Sequence, residues 1–113
     1  MEKKVFPDFI ANLPEAEVHF PGVKIQLLQG EQNQVAFTDM DITGEAEEHS
    51  HGAQWGIVVE GELELTINGI ARIYRKGDYY YIPDKAPHSG KFNTHVHTID
   101  FFSEPDRYAL KEK

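Results

Sequence analysis

Two histidines, His49 and His51, have the residue type and the spacing of a pair of metal ligands. Side chains two residues apart on an extended strand leave the same face, so both imidazoles would point toward one site. Gln54 would join them if Gly52 and Ala53 form a two-residue hairpin loop, because His51 and Gln54 would then be directly opposed. The spacing therefore predicts that two imidazoles and an amide oxygen converge. The alternative is a pair of ordinary surface histidines.

The composition limits the chemistry and the partners of the chain. Its 113 residues fit a single domain over 1–113, which can bury about two-thirds of the unfolded surface. The formal net charge of −8 disfavours nucleic acids and anionic membranes, and so favours a small-molecule or protein partner. Since there is no cysteine, any metal must be held by histidine, carboxylate or amide groups. No segment has the apolar length of a signal peptide or a membrane span, and we predict a cytoplasmic protein.

The elements that must position these residues are short strands. Apolar and alternating runs predict strands over 23–27, 34–42, 62–67, 70–74, 79–82 and 94–102. Asn68 and Gly69 predict a two-residue hairpin turn. Residues 5–14 are expected to form a short N-terminal arm with one helical turn, and Ser103 with Asp106 predicts a short C-terminal helix. The pattern predicts an all-β antiparallel sandwich or barrel, of which the jelly roll is one form.

The region around the two histidines resembles the first sequence motif of the cupin family of small β-barrels. That motif is a Gly, five residues, His-x-His, three or four residues, Glu, six residues and a Gly. His49, His51 and the six-residue gap between Gln54 and Gly61 fit it. The chain departs from it at Gly44, which lies four residues before His49, and at Gln54, which stands two residues after His51 in place of the Glu.

A second stretch resembles the other cupin motif, which is Gly, five residues, Pro, one residue, Gly, two residues, His, three residues and Asn. Gly77, Pro83 and His88 fit that spacing, while Lys85 replaces the second Gly and Phe92 the Asn. Both motifs occur in order within residues 44–92. The resemblance implies a double-stranded β-helix, or jelly-roll barrel.

The same resemblance implies one divalent metal ion in the barrel mouth, which we expect to be iron, manganese, nickel or zinc. Carried over to this chain, the ligands would be His49, His51 and His88, with Gln54 in the fourth protein position. A neutral amide cancels none of the charge of the ion. The site would therefore favour an anionic substrate with oxygen donors, and it would hold the metal less tightly than a site with Glu.

Three further residues are candidates for the pocket. Tyr80 shares strand parity with Ile82 and is expected to look into the barrel. Glu47 shares parity with His49, and it would either line the rim of the site or ligate the metal, although a solvated glutamate is the more common case. The basic residues expected near an anionic ligand are Arg72 and Lys85.

His97 is the third pocket candidate, and it shares one face of the last predicted strand with His95. One interpretation places His97 inside the barrel, where it would contact substrate or bond to a metal ligand. The other places both histidines outward and Val96 and Phe102 inward. The sequence does not decide between them.

Three functional hypotheses follow. The first is a metal-dependent enzyme, either an oxygenase or an isomerase or lyase, acting on a small polar or anionic substrate. The second is a non-catalytic metal or small-molecule binding or sensor module, and the third is a structural barrel whose histidines are polar filling. Because cupins carry many chemistries, the fold does not choose among them. Exposed aromatic residues such as Trp55, Tyr79 and Tyr81 predict a homodimer.

Overall fold

The computed structural model describes residues 5–18, 22–41 and 44–111, which form two antiparallel β-sheets and one helical turn. The turn, α1, spans Asp8–Ala11. The strands are β1 (Val23–Gln29), β2 (Gln34–Met40), β3 (Gly44–His49), β4 (Gln54–Glu60), β5 (Glu62–Ile67), β6 (Ile70–Arg75), β7 (Tyr79–Ile82), β8 (His88–Phe92) and β9 (Val96–Phe102). The described part of the chain contains no helix with the length and apolar character of a transmembrane segment.

The all-β prediction is confirmed, but the barrel is not closed. One sheet has five strands in the order β1, β2, β9, β4, β7, and the other has four in the order β3, β8, β5, β6. Each sheet therefore keeps two edge strands. The N-terminal arm, which continues to residue 18 in the structure, covers the edge of β1, where Ala16 N donates to Ile25 O at 2.8 Å and Leu27 N donates to Pro14 O at 2.8 Å.

Most predicted strands form close to their predicted bounds. The turn at Asn68 and Gly69 is confirmed, with positive φ values of 50° and 80° as the favoured two-residue hairpin turn requires. The predicted end of the second strand at Ile42 lies outside the described residues. The strand β8 was not predicted, because its sequence His-Ser-Gly-Lys-Phe lacks apolar alternation. It is held by ladders to β3 on one side and β5 on the other.

The predicted C-terminal helix does not form, and residues 103–108 make bends and turns instead. Backbone and side-chain groups of this segment form hydrogen bonds with β2 and with residues 52–53, in place of hydrogen bonds within a helix. Gln34 both donates from Nε2 to Tyr108 O and accepts from Tyr108 N through Oε1, at 2.9 and 3.1 Å. Gly52 N donates to the Glu104 carboxylate at 2.6 Å, and Ser103 N donates to Ala53 O at 3.0 Å. The segment is therefore pinned to the sheets.

The predicted hairpin between His51 and Gln54 is also wrong. Because β3 belongs to the four-stranded sheet and β4 to the five-stranded sheet, residues 50–53 cross from one sheet to the other. The backbone of this crossing is bound by distant segments: Lys85 N donates to His51 O at 2.8 Å, and Ser103 N bonds to Ala53 O. A hairpin therefore does not place Gln54 beside His51.

The main core lies between the two sheets and borders the candidate site. It combines side chains from both sheets with one residue of the 83–87 loop, and these residues are Val58, Leu63, Leu65, Tyr80, Ile82, Ala86, Phe92 and Val96. A second cluster joins the N-terminal arm to β1, β2 and β9 through Ala16, Ile25, Leu27, Ala36 and Phe102. The polar residues described next are thus enclosed by packed apolar side chains.

Candidate metal centre

Three histidines converge between the sheets because strand pairing brings two of them together. His49 on β3 is directly opposite His88 on β8, and His51 follows in the crossing segment. The ring centroids lie 4.2 Å apart for His49 and His88, 4.7 Å for His51 and His88, and 5.4 Å for His49 and His51. One nitrogen from each ring lies within 4.8 Å of the others. This separation suits three ligands of a single metal ion.

All three imidazoles are held in the same way. Each Nδ1 lies within hydrogen-bond distance of a backbone carbonyl, and because a carbonyl only accepts, each Nδ1 must carry a proton. In the neutral form of such a ring the lone pair is on Nε2, which is how metal-binding histidines are commonly oriented. The bonds are His49 to Glu47 O at 2.7 Å, His51 to Gly52 O at 2.8 Å and His88 to Ala86 O at 2.9 Å.

Burial keeps two of the rings neutral. Removal from water lowers the pKa of both His51 and His88, and the nearby Arg107 charge lowers it further, while the hydrogen bond of each Nδ1 to a carbonyl acts in the opposite direction. The Nε2 atom of His51 is buried and has no hydrogen-bond partner in the described structure. A neutral, unpartnered nitrogen suits a metal ion, since a buried lone pair without a partner costs about 1–3 kcal/mol.

Gln54 lies in the same cavity as the histidines, at the start of β4 in the opposite sheet. Its Nε2 donates to Asp100 Oδ1 at 2.9 Å. Because a carboxylate only accepts, this bond determines which end of the amide is the donor. The amide oxygen is left as the end that can face another group.

Asp100, which sequence reasoning missed, is the centre of a buried hydrogen-bond network. Its Oδ1 accepts from Tyr80 Oη at 2.5 Å as well as from Gln54, and its Oδ2 accepts from Thr98 Oγ1 at 2.7 Å. Burial raises the pKa of Asp100, while the three hydrogen bonds act in the opposite direction. Gly56 is required beside this network, because a Cβ at that position would collide with the Tyr80 ring and the Asp100 carboxylate. The available signal was the one acidic residue of β9, which shares strand parity with the apolar Phe102.

Arg107 is the second residue that sequence reasoning missed. It lines the cavity, with its guanidinium carbon 4.5 Å from the centroid of the Tyr108 ring. Its Nε atom is buried and has no hydrogen-bond partner among the described residues. No local pattern marked it, because it lies in a segment that was predicted to be helical. The expected basic residues, Arg72 and Lys85, are exposed and do not line this cavity.

Five of the predicted site residues line one cavity, whereas Glu47 does not. Tyr80 is buried and lines the cavity, and the residues that join it there are His49, His51, Gln54 and His88. The Glu47 side chain is exposed and lies outside the cavity. A β-bulge between Ala46 and His49 breaks the alternation on which the Glu47 prediction was based.

His97 is likewise outside the cavity. On β9 the inward residues are Thr98, Asp100 and Phe102, which line the cavity, so His97 and His95 occupy the other face. The outward interpretation is therefore correct for both histidines. His97 is nevertheless buried, because Phe6 of the N-terminal arm packs against its ring with centroids 5.5 Å apart.

The cavity itself is small, with a volume of about 190 Å³. The three imidazoles, Gln54 and Arg107 contribute its polar lining, together with the Asp100 network. Apolar side chains from both sheets complete the wall, among them Met40, Leu63, Leu65, Ile82 and Phe102. Such a space admits a metal ion with a small molecule beside it.

Comparison with known proteins agrees with this geometry. Residues 37–102, more than half of the chain, match the family model described as a cupin domain. Among solved structures, the chain is similar to an RmlC-like cupin from Shewanella frigidimarina NCIMB 400, with 28% identity, a TM-score of 0.73, and 83% of this chain and 86% of that chain covered. Among functionally curated proteins, no sequence matches this chain.

Two more distant similarities show the fold alone. KdgF from Halomonas sp. is 20% identical with a TM-score of 0.70, covering 80% of this chain and 87% of that chain. A variant of oxalate decarboxylase from B. subtilis is 18% identical with a TM-score of 0.70, covering 86% of this chain but 29% of that chain. Because the family match spans all three converging histidines and the fold agrees over most of the chain, the chain belongs to the cupin family.

Proposed function

We propose that this chain is a metal-dependent enzyme for a small polar or anionic substrate. One divalent ion would be bound by His49, His51 and His88, with Gln54 in the fourth position. The observation that carries the proposal is the shared orientation of the imidazoles, each with Nδ1 bound to a carbonyl and Nε2 free for an ion. Imidazole and amide donors suit several ions, and the candidates are iron, manganese, nickel and zinc.

The charges of the cavity favour an anionic substrate. Four neutral ligands leave the charge of a divalent ion uncancelled, and Arg107 adds a guanidinium whose buried Nε lacks a partner in the described structure. Asp100 is the one acidic residue among the described lining residues, and it is engaged by three donors. A carboxylate or enolate oxygen would therefore be attracted to the ion and to Arg107 together.

The Tyr80–Asp100 pair supplies acid–base chemistry. Burial raises the pKa of Asp100, so this carboxylate takes up a proton more readily than an ordinary aspartate does. Burial and the Asp100 charge also raise the pKa of Tyr80, which keeps its hydroxyl protonated. When the Tyr80 oxygen accepts a proton from a substrate, its own proton can pass to Asp100. The bound ion would supply Lewis acidity toward a carbonyl or enolate in an isomerase or lyase, or a redox centre in an oxygenase.

The alternative is a non-catalytic binding module, and the same network provides the observation that favours it. Asp100 already accepts three hydrogen bonds, and a fully satisfied buried network can serve only to fix the packing. In that case a ligand would bind to the metal and Arg107 and would leave unchanged. The fate of the ligand separates the two functions.

The metal assignment predicts the effect of His88→Ala. We expect this variant to lose one equivalent of divalent metal relative to wild type, because it removes a ligand that lies opposite His49. The measurement is elemental mass spectrometry of untagged protein purified without chelators and without a nickel column. Ser89→Ala, on the same strand, is the control and should retain the metal. Unchanged metal content with native circular dichroism in His88→Ala would refute the site.

The enzymatic assignment predicts the effect of Asp100→Asn. The metal-loaded wild type should consume at least one compound from a panel of enediols, diketones, phenols and hydroxy-carbonyl compounds, followed by oxygen uptake and by proton NMR. Asp100→Asn should retain the metal and lose on the order of a hundredfold or more in rate, as expected for a lost general base. Asp41→Asn, which removes the same charge from an exposed residue, should be unaffected. Binding of panel compounds without turnover in wild type would favour the binding module.

The substrate charge predicts the effect of Arg107→Gln. With the metal-loaded protein and oxalate as a small dianionic probe, calorimetry should show binding weakened about tenfold or more, as for the loss of a charge-assisted contact. Arg72→Gln removes an exposed guanidinium outside the cavity and should not change the affinity. Equal weakening in both variants would indicate a general charge effect and would contradict a role for Arg107 at the site.

We also propose that the chain forms a homodimer through the outer face of the five-stranded sheet. The strand registers align one apolar residue from each strand in a continuous row, formed by Leu28, Val35, Phe101, Trp55 and Tyr81. In the single chain four of these are strongly exposed, at 52% for Leu28, 46% for Phe101, 44% for Trp55 and 57% for Tyr81. An apolar row of this length on a water-facing sheet is typical of an interface, and a second copy would cover it with an identical row.

The dimer proposal predicts the effect of Trp55→Arg. Wild type should elute with the mass of a dimer in gel filtration with light scattering, and Trp55→Arg should elute with the mass of a monomer. The charge would be placed in the middle of the apolar row. Ile70→Arg changes a residue that is 63% exposed on the other sheet and should leave the dimer intact. A monomeric wild type would refute the proposal.

A further inference from the structure

A second group of potential metal ligands lies on the face of the five-stranded sheet that is turned away from the first site. Asp39 on β2 is directly opposite His97 on β9, and His95 precedes His97 by two residues on the same face. One ligand atom from each residue lies within 4.8 Å of the others. Two imidazoles and a carboxylate are a common donor set for divalent transition metals.

Hydrogen bonding explains only part of this cluster. The 2.6 Å distance between His95 Nε2 and Asp39 Oδ1 is that of a strong hydrogen bond. His97 Nε2, however, is 3.5 Å from the same oxygen, which is too long for a good bond. His97 as a residue is 9% exposed, and its other ring nitrogen, Nδ1, is buried without a partner in the described structure. Neither ring nitrogen of His97 therefore has a well-formed hydrogen bond among the described residues.

The long distance is close to the one that two ligands of a single cation would have. Two ligands that each bind zinc at 2.0–2.1 Å with a tetrahedral angle lie about 3.3 Å apart. The separation between His97 Nε2 and Asp39 Oδ1 is close to this value, and His95 would have to move away from Asp39 by roughly 0.7 Å to match it.

The surrounding charges are compatible with a bound cation. Two lysines line the adjoining cavity, but Lys76 Nζ lies 3.4 Å from Glu60 and Lys24 Nζ lies 3.8 Å from Glu15. Both ammonium groups are therefore drawn to other carboxylates. Glu60, which is opposite His97 on β4, offsets the charge of Lys76 beside the cluster.

There is also room for the remaining ligands of an ion. A cavity of about 580 Å³ adjoins the cluster, between the sheet and the N-terminal arm. Phe6 of the arm closes one side, packing edge-on against both His97 and Phe37. Water or a small ligand could occupy the coordination positions that face this cavity.

We infer that Asp39, His95 and His97 form a second divalent-metal site, with zinc or another first-row ion bound by two imidazoles and one carboxylate. This site is independent of the proposed function, because it lies on the opposite face of β9 and shares no residue with the first histidine cluster. Its donors come from strand pairing, as in the first site. It differs from the first site in having a carboxylate ligand and in adjoining a larger cavity.

The test measures zinc binding in a chain whose first site has been disabled. The full-length His49→Ala/His88→Ala variant, freed of metal with a chelator, should bind one equivalent of Zn²⁺ in isothermal titration calorimetry. Adding Asp39→Asn should weaken this binding by at least about tenfold, the low end of the effect seen even for residues that only support metal ligands. Asp41→Asn, which removes an exposed carboxylate two residues away, should leave it unchanged.

A parent variant that binds no zinc, or one whose binding survives Asp39→Asn, would overturn the inference. If the double variant does not fold, the single variants Asp39→Asn and His95→Ala provide the measurement in the otherwise intact chain. Each should lower the zinc stoichiometry by one equivalent relative to wild type, and His88→Ala should remove a different equivalent. Zinc content that depends on His88 but not on Asp39 would support the first site and refute the second.

Discussion

The candidate metal centre depends on the pairing of β3 with β8. That ladder places His49 directly opposite His88, and opposed side chains on antiparallel strands have Cβ atoms about 4.5–5.5 Å apart. His88 is also paired with Ile67 of β5, so its backbone is held from both sides. The backbone ladder and the carbonyl bonds to each Nδ1 thus orient the imidazoles before any ion binds, which lowers the cost of forming the site.

The three histidines could be predicted from the sequence because the family motifs record a spacing that the fold imposes. The predicted hairpin also placed His51 near Gln54, and both residues do line the same cavity, but the hairpin itself does not form. The two residues lie on different sheets that face each other across the core, and residues 50–53 cross between them. Strand alternation correctly placed Tyr80 inward, because β7 is regular and its burial alternates along its whole length.

The remaining parts of the site could not be predicted because they depend on tertiary contacts. A bulge displaced Glu47 from the face predicted by simple alternation. The strand β8 has too little apolar character to be recognised, and it forms because two neighbours offer it free backbone groups. Arg107 reaches the cavity only because the sheets bind the segment that follows β9 and prevent it from becoming a helix. The inward position of Asp100 could have been predicted, since Asp100 lies two residues before Phe102 on the same face of β9.

The bond between Gln54 and Asp100 has a consequence for how the site can vary. Cupins usually carry glutamate where this chain has Gln54, but a carboxylate there would face Asp100 with two acceptors and no proton between them. Glutamate at 54 therefore requires a donor at position 100, or a proton held between the two carboxyl groups. The two positions lie 46 residues apart in sequence, but their residue types are coupled by this hydrogen bond. A substitution at position 54 that changes the charge of the metal's ligands therefore requires a compensating change at position 100 or a shared proton.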